Sequence, residues 1–317
     1  MRLNLPILDQ IAKSNSVLIA GMGGGFDVFC GLPIYFELQQ MGKDVHLANL
    51  SFADIAGLND GEEITDTLVG VTADIEGDFD YFPEFYLAQW LYEELGDDIP
   101  IWCFEKTGAR PYIKNYEVLI EELAIDAIIL IDGGIDSLLH GDEPEIGTMF
   151  EDTVSLLAVR EMRNVPVRIL ACVGLGIETE IGYAHLFENI STLIRCGAFL
   201  GSCSLTRQME SYRRYEEAVL AVFDAQPGYP SVINSSLISA VQGHYGNHHL
   251  TKKTEGSSLH ISALMGIYWF FDARLTADQN RVLPHLRTTY TVDEAWKAMK
   301  STRAALVERG IPEYPLP

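Results

Sequence analysis

Val17-Leu18-Ile19-Ala20 is followed by Gly21-Met22-Gly23-Gly24-Gly25-Phe26-Asp27, by an apolar-periodic run to Gln40, by Met41-Gly42-Lys43-Asp44 and by Val45-His46-Leu47-Ala48. A short apolar segment, a glycine cluster, a segment of helical period and a second apolar segment make a β-loop-α-β unit. Glycines at a strand-to-helix turn let backbone N–H groups approach an anion, and the positive end of the following helix adds to the attraction. A small-ligand turn built from Gly23, Gly24, Gly25 and Asp27 is therefore expected near the start of the chain. Pro33 stands in the first turn of the expected helix, where a missing N–H is tolerated.

The same alternation continues outward from this unit. Residues 127–131, Ala-Ile-Ile-Leu-Ile, are the clearest buried strand, because a continuous β-branched run is what a parallel strand covered on both faces requires. Further strands are expected at 68–71, 99–104 and 167–173. Helices are expected at 3–13, 85–95, 116–123, 148–163, 184–195, 205–223, 232–241 and 291–309, and 259–271 is apolar enough for either state. Residues 57–82 read as an acidic, solvated excursion. Strands alternating with helices predict a doubly wound α/β fold, a mostly parallel sheet with helices on both faces. The break at Pro227-Gly228-Tyr229-Pro230 is too short for a domain boundary. Residues 1–317 are thus read as a single α/β domain, more helical from about residue 204.

The chain carries 45 acidic and 22 basic residues, a formal charge of −23 over 317 residues. Nucleic-acid binding depends on Lys and Arg neutralising phosphates, so this balance argues against it. No apolar run reaches spanning length and Met1–Pro6 has no signal core, so no membrane association is expected. Cys30, Cys103, Cys172, Cys196 and Cys203 include no C-x-x-C pair. Free thiols in a reducing compartment account for them, and a cytoplasmic location follows.

Three expected strands end in glycine-plus-carboxylate loops. These are Gly23-Gly24-Gly25-Phe26-Asp27, Asp132-Gly133-Gly134-Ile135-Asp136 and Gly174-Leu175-Gly176-Ile177-Glu178-Thr179-Glu180. In an open α/β sheet the three open on one edge, where ligands bind. Clustered carboxylates repel unless protonated or bridged by a cation. Asp132, Asp136 and Glu180 are therefore candidate ligands of a divalent ion, magnesium or manganese. Gly133, Gly134 and Gly176 would line the ligand with the first loop. Asp136, His140 and His244 are candidate proton carriers, and Lys252 and Lys253, in a His- and Lys-rich loop at 243–258, would meet a phosphate. Any one of these loops taken alone is ordinary turn chemistry. There is no P-loop, no G-x-S-x-G elbow and no H-E-x-x-H.

At these loops the sequence resembles domain-of-unknown-function family 1152. The resemblance lies in Gly23-Gly24-Gly25-Phe26-Asp27-Val28, in Asp132 to Leu138 with Gly141-Asp142-Glu143, in Glu151-Asp152, and around Gly243-His244-Tyr245-Gly246. It implies a common α/β site and carries no activity. The third loop departs from the family's glycine-acid-glycine-acid pattern, which leaves the role of Glu178 open. A looser likeness is to sirtuin-like NAD sites, through Gly21-Met22-Gly23 and Gly31-Leu32-Pro33, at a longer spacing. The leading expectation is an enzyme, a metal-assisted hydrolase or transferase of a small phosphorylated or nucleotide-like metabolite. Hydrolysis or transfer is favoured over redox because no acid stands at the end of the second strand, at Asn49 or Ser51. The alternatives are a non-catalytic small-ligand sensor and an NAD-binding protein. Tyr268-Trp269-Phe270-Phe271 is expected in the core; exposed, it would mark a homo-oligomer contact.

Overall fold

The computed structural model describes residues 6–58, 60–145, 149–178 and 182–311. Its strands are β1 (Ser16–Gly21), β2 (Asp44–Leu50), β3 (Glu62–Thr65), β4 (Leu68–Val71), β5 (Ile101–Phe104), β6 (Ala127–Asp132), β7 (Val167–Cys172), β8 (Phe199–Ser204) and β9 (Ile267–Asp272). They form one sheet in the order β3-β4-β5-β2-β1-β6-β7-β9-β8. The central five, β5-β2-β1-β6-β7, run parallel. The β3–β4 hairpin and the β9–β8 pair extend the two sides antiparallel. The chain has an α/β fold with helices on both faces.

Alternation along each strand makes the two faces. Leu18, Ala20, Ile128 and Leu130 join one core cluster, under helices Ala109–Glu122, Met149–Glu161 and Tyr183–Arg195. Val17, Ile19, Ile129 and Ile131 join the other, under helices Leu32–Gln40, Glu210–Ala225 and Val232–Gln242. Every residue of β1 and β6 is buried, as a sheet covered on both faces demands.

The winding decides where a ligand could sit. The chain lays down β1, β2 and β5 in one direction, then crosses to the far side of β1 for β6 and β7. Strand order reverses between β1 and β6, and in open α/β sheets the ligand crevice forms at such a switch point, outside the carboxyl ends of the strands. Register delivers the residues there: Gly21 pairs with Asn49 and with Ile131, and Asp132 pairs with Cys172.

Several local expectations are corrected. The helix after the glycine loop is a turn, Asp27–Cys30, then a separate helix, Leu32–Gln40. Gly31, closely packed on Ile19, interrupts it, and Pro33 has no N–H to carry the ladder across the break. Residues 259–271 resolve into a 3-10 turn, Ala263–Gly266, and then β9, whose Tyr268, Phe270 and Phe271 are buried, so this aromatic run is core. β8 and β3 were not expected: both are partly exposed edge strands without a continuous apolar run. The helix expected from residue 205 starts at Glu210 instead. Cys30, Cys103 and Cys172 are buried free thiols, whereas Cys196 and Cys203 are exposed. Among the described residues, no helix is long and apolar enough to cross a membrane.

Candidate functional site

Asp27, Asp132 and Asp152 meet at the crevice between β1 and β6. Each offers a carboxylate oxygen within 4.8 Å of the others, a grouping that could hold a metal ion. Asp27 begins the turn after β1, Asp132 ends β6, and Asp152 lies in the first turn of helix Met149–Glu161. All three are buried. Asp27 Oδ2 accepts from the Gly23 N–H at 2.7 Å. Asp132 Oδ2 accepts from the Ser137 N–H at 3.3 Å and from the Ser137 hydroxyl. Asp152 shares a side-chain hydrogen bond with Asp136, yet its Oδ1 is buried with no hydrogen-bond partner.

The electrostatics are those of acids held against their preference. Burial pushes the Asp27 carboxyl up to about 7, and the charges of Asp136 and Glu151 push the same way against the Gly23 and Gly133 N–H groups. Burial, reinforced by neighbouring acids, drives Asp132 and Asp152 well above the usual carboxylate range. Among the described residues, no Lys or Arg forms an ion pair with Asp27, Asp132 or Asp152. Lys106 pairs with Glu151, the chain neighbour of Asp152. Such a set is stable only protonated or around a cation. The unpartnered Asp152 Oδ1 and the all-oxygen donors suit a hard divalent ion.

The glycines make room for these acids. A Cβ on Gly133 would stand 2.6 Å from Asp27 Oδ1, so only glycine lets β6 end so close to that carboxylate. Gly24, at φ +96°, carries the loop under the Phe52 ring, 2.4 Å from where its Cβ would be. The Gly23 N–H is turned inward to Asp27. Asn49, at the end of β2, accepts from the Val28 N–H at 3.3 Å and donates at 2.7 Å to both the Gly25 carbonyl and Glu84 Oε1. Its amide is thus occupied inside the protein, at the strand-end position where a dinucleotide site places its ribose-binding acid. Glu84 behind it is fully buried, and that burial pushes it up to about 7.

A second group that could hold a metal, His140, Asp142 and Glu143, follows in the same long loop and is built differently. Glu143 accepts from the N–H groups of His140 (2.9 Å) and Gly141 (2.8 Å), from the Asn189 amide (2.7 Å) and from Arg309 (2.6 Å). Arg281 pairs with Asp142 at 2.8 Å, and Arg303 donates to the Glu143 carbonyl at 2.7 Å. Burial raises the Glu143 carboxyl, but the donated hydrogen bonds outweigh it and hold the group below its ordinary value. Burial lowers His140, whose Nε2 has no partner.

The structure gathers some of the expected site residues and separates others. Asp27, Asp132, Asp136, Gly23 and Gly133 meet at the crevice. Glu178 Oε2 accepts from the Ile135 N–H at 2.9 Å and closes the second loop beside Gly134. Gly25 lies beside the Phe52 and Tyr81 side chains, and Gly176, at φ +98°, against the Tyr183 hydroxyl. Glu180 lies outside the described residues. His140 belongs to the second group. His244 follows helix Val232–Gln242, whose first turn touches Gly133 through Ile233. Gly243 ends that helix in a left-handed conformation, and the His244 N–H donates back to the Ser239 carbonyl at 3.0 Å. Its exposed ring stacks on His248 at 3.6 Å. Lys252 and Lys253 are exposed on a short turn. Sequence reasoning gave no role to Asp152, Lys106, Asn49 or Glu84. Acids in a helix's first turn ordinarily serve the dipole, and the available signal was that Glu151-Asp152 is among the residues that carry the family resemblance.

A family model described as "Protein of unknown function (DUF1152)" matches residues 85–306, and the chain belongs to this family. The matched part holds Lys106, Asp132, Asp136 and Asp152; the glycine loop with Asp27 precedes it. No curated protein and no solved structure matches the chain.

Proposed function

We propose that this member of a family of unknown function is a metal-assisted enzyme, a hydrolase or group transferase of a small phosphorylated or nucleotide-like metabolite. One observation carries the reading: Asp27, Asp132 and Asp152 converge, buried and without a basic partner among the described residues, at the switch point of the sheet, with Asp152 Oδ1 lacking a hydrogen bond there. Asp27, Asp132 and Asp152 would hold the ion, magnesium or manganese by the hardness of their oxygens. When bound, such an ion polarises a phosphoryl oxygen and makes water a better nucleophile at neutral pH. Asp27 is oriented by the Gly23 N–H and Asp132 by Ser137, so neither has to reorganise as ligand. Asp136, hydrogen-bonded to Asp152, is assigned to proton transfer, because two carboxyls in contact retain a proton between them.

Manganese titration followed by calorimetry, with turnover assayed on phosphate monoesters and nucleotides, tests this. Wild type is expected to bind manganese and turn over. Asp152→Asn should lose both, and Asp136→Asn should lose turnover while still binding the metal. Metal binding without turnover on any of these substrates would favour a sensor, and absence of metal binding in the folded wild type would remove the metal-assisted reading.

A further inference from the structure

We propose that Lys106 is the residue through which this site takes hold of a substrate oxyanion, a phosphoryl group on the reading above, which this inference rests on and deepens. Lys106 stands two residues beyond the end of β5, on the same sheet edge as the ends of β1, β2 and β6, because these strands are parallel. Its ammonium pairs with Glu151 Oε1, and Glu151 is the chain neighbour of Asp152. An ammonium has three donors. Glu151 takes one, and no other hydrogen bond of Lys106 is formed among the described residues. Two aromatic rings flank the ammonium: Nζ lies 5.9 Å from the centroid of Phe52 and 5.4 Å from that of Phe150. Phe52 is half exposed and lies on the glycine loop, and the Lys106 side chain is one-third exposed. The amine is therefore both reachable from solvent and flanked by apolar surface, which strengthens a charge-assisted hydrogen bond.

The chemistry explains why an anion would enter an acidic crevice at all. Whatever charge Asp27, Asp132 and Asp152 carry repels it, and a divalent ion that displaces their protons would offset that charge. An oxyanion bridging that ion and Lys106 would then be polarised from two sides. The plainer account is that Lys106 only neutralises buried Glu151. The two differ in what Lys106→Met does, since methionine keeps most of the apolar stem between Phe52 and Phe150.

Binding of inorganic phosphate, adenosine monophosphate and acetate is measured by calorimetry on wild type, Lys106→Met and Lys106→Arg, with and without manganese. Circular dichroism confirms folding and manganese affinity is measured alongside. The expected result is phosphate binding in manganese that weakens at least about tenfold in Lys106→Met, the size of one charge-assisted hydrogen bond. Manganese affinity should stay within a few-fold, and Lys106→Arg should recover part of the loss. Equal phosphate affinity in wild type and Lys106→Met, or no phosphate binding by wild type in either condition, overturns the proposal. A Lys106-dependent response to acetate and none to phosphate supports the oxyanion contact and overturns its phosphoryl identity. Lys106-dependent phosphate binding without any manganese binding would uphold Lys106 while removing the metal reading.

Discussion

Two buried acid groups lie on either side of the loop after β6 and differ in their counter-charge. Asp142 and Glu143 are met by Arg281, Arg303 and Arg309, and the N–H groups around Glu143 complete its shell. Asp27, Asp132 and Asp152 have comparable burial and no basic partner among the described residues. A satisfied ionic group fastens structure; an unsatisfied one is kept at a cost to stability, which points to a ligand. Here the arginine-paired group, although Asp142 Oδ1 and His140 Nε2 lack hydrogen bonds, ties the last helix and the segment after it, through Arg303 and Arg309, to the loop that follows β6. The two groups also respond oppositely to protonation: burial lifts the crevice acids, whereas Glu143 is held below its ordinary value.

The largest expected effect separates the groups by metal. Asp152→Asn should lower manganese affinity by more than the roughly 100-fold typical of removing an outer partner of a ligand. Glu143→Gln should leave that affinity unchanged in calorimetry, and an equal loss in both variants would erase the distinction. Arg309→Ala comes next. It strips buried acids of a partner and should cost about 3 kcal/mol in urea unfolding, with manganese affinity intact.

A smaller effect is one of pH. Asp27 is raised from 3.8 to about 7, so the folded chain keeps a proton that the unfolded chain releases near 4. Its contribution is full below the unfolded value and is lost as pH rises through about 7. From pH 5 to 8 in chelator, this group alone should remove roughly 2–3 kcal/mol, and Asp27→Asn should remove that share of the slope. Glu143 has the reverse sign: its stabilisation is present above its unfolded value and fades as pH falls through the lower folded one. A chelator-treated wild type whose stability does not fall between pH 5 and 8 would count against an uncompensated crevice. The smallest effect is at His244. His244→Ala should change stability by less than about 0.5 kcal/mol and leave turnover as it is, since its exposed ring touches neither group.

Much of this was legible locally. The runs at 17–20, 45–48 and 127–131 fall in β1, β2 and β6, because strands buried on both faces read as apolar sequence, unbroken in β1 and β6 and interrupted only by half-buried His46 in the run of β2. The glycine-acid loops after β1, β6 and β7 do open on one edge, as parallel neighbours must. Edge strands β3 and β8 escaped because half-exposed residues follow no such pattern. The acids were harder. Asp132 and Asp136 announced themselves beside glycines, whereas Asp152 looked like any acid at a helix start.

What the sequence by itself determined is the α/β class, the buried central strands and the edge on which the acid loops gather, since hydrophobic period and chain order are local properties. Which acids share the crevice, and which are neutralised, only the tertiary structure decided. Arg309 reaches Glu143 from 166 residues away, and Asp152 meets Asp27 across a crossover of the sheet. Charge compensation acts through space, and no spacing along the chain records it.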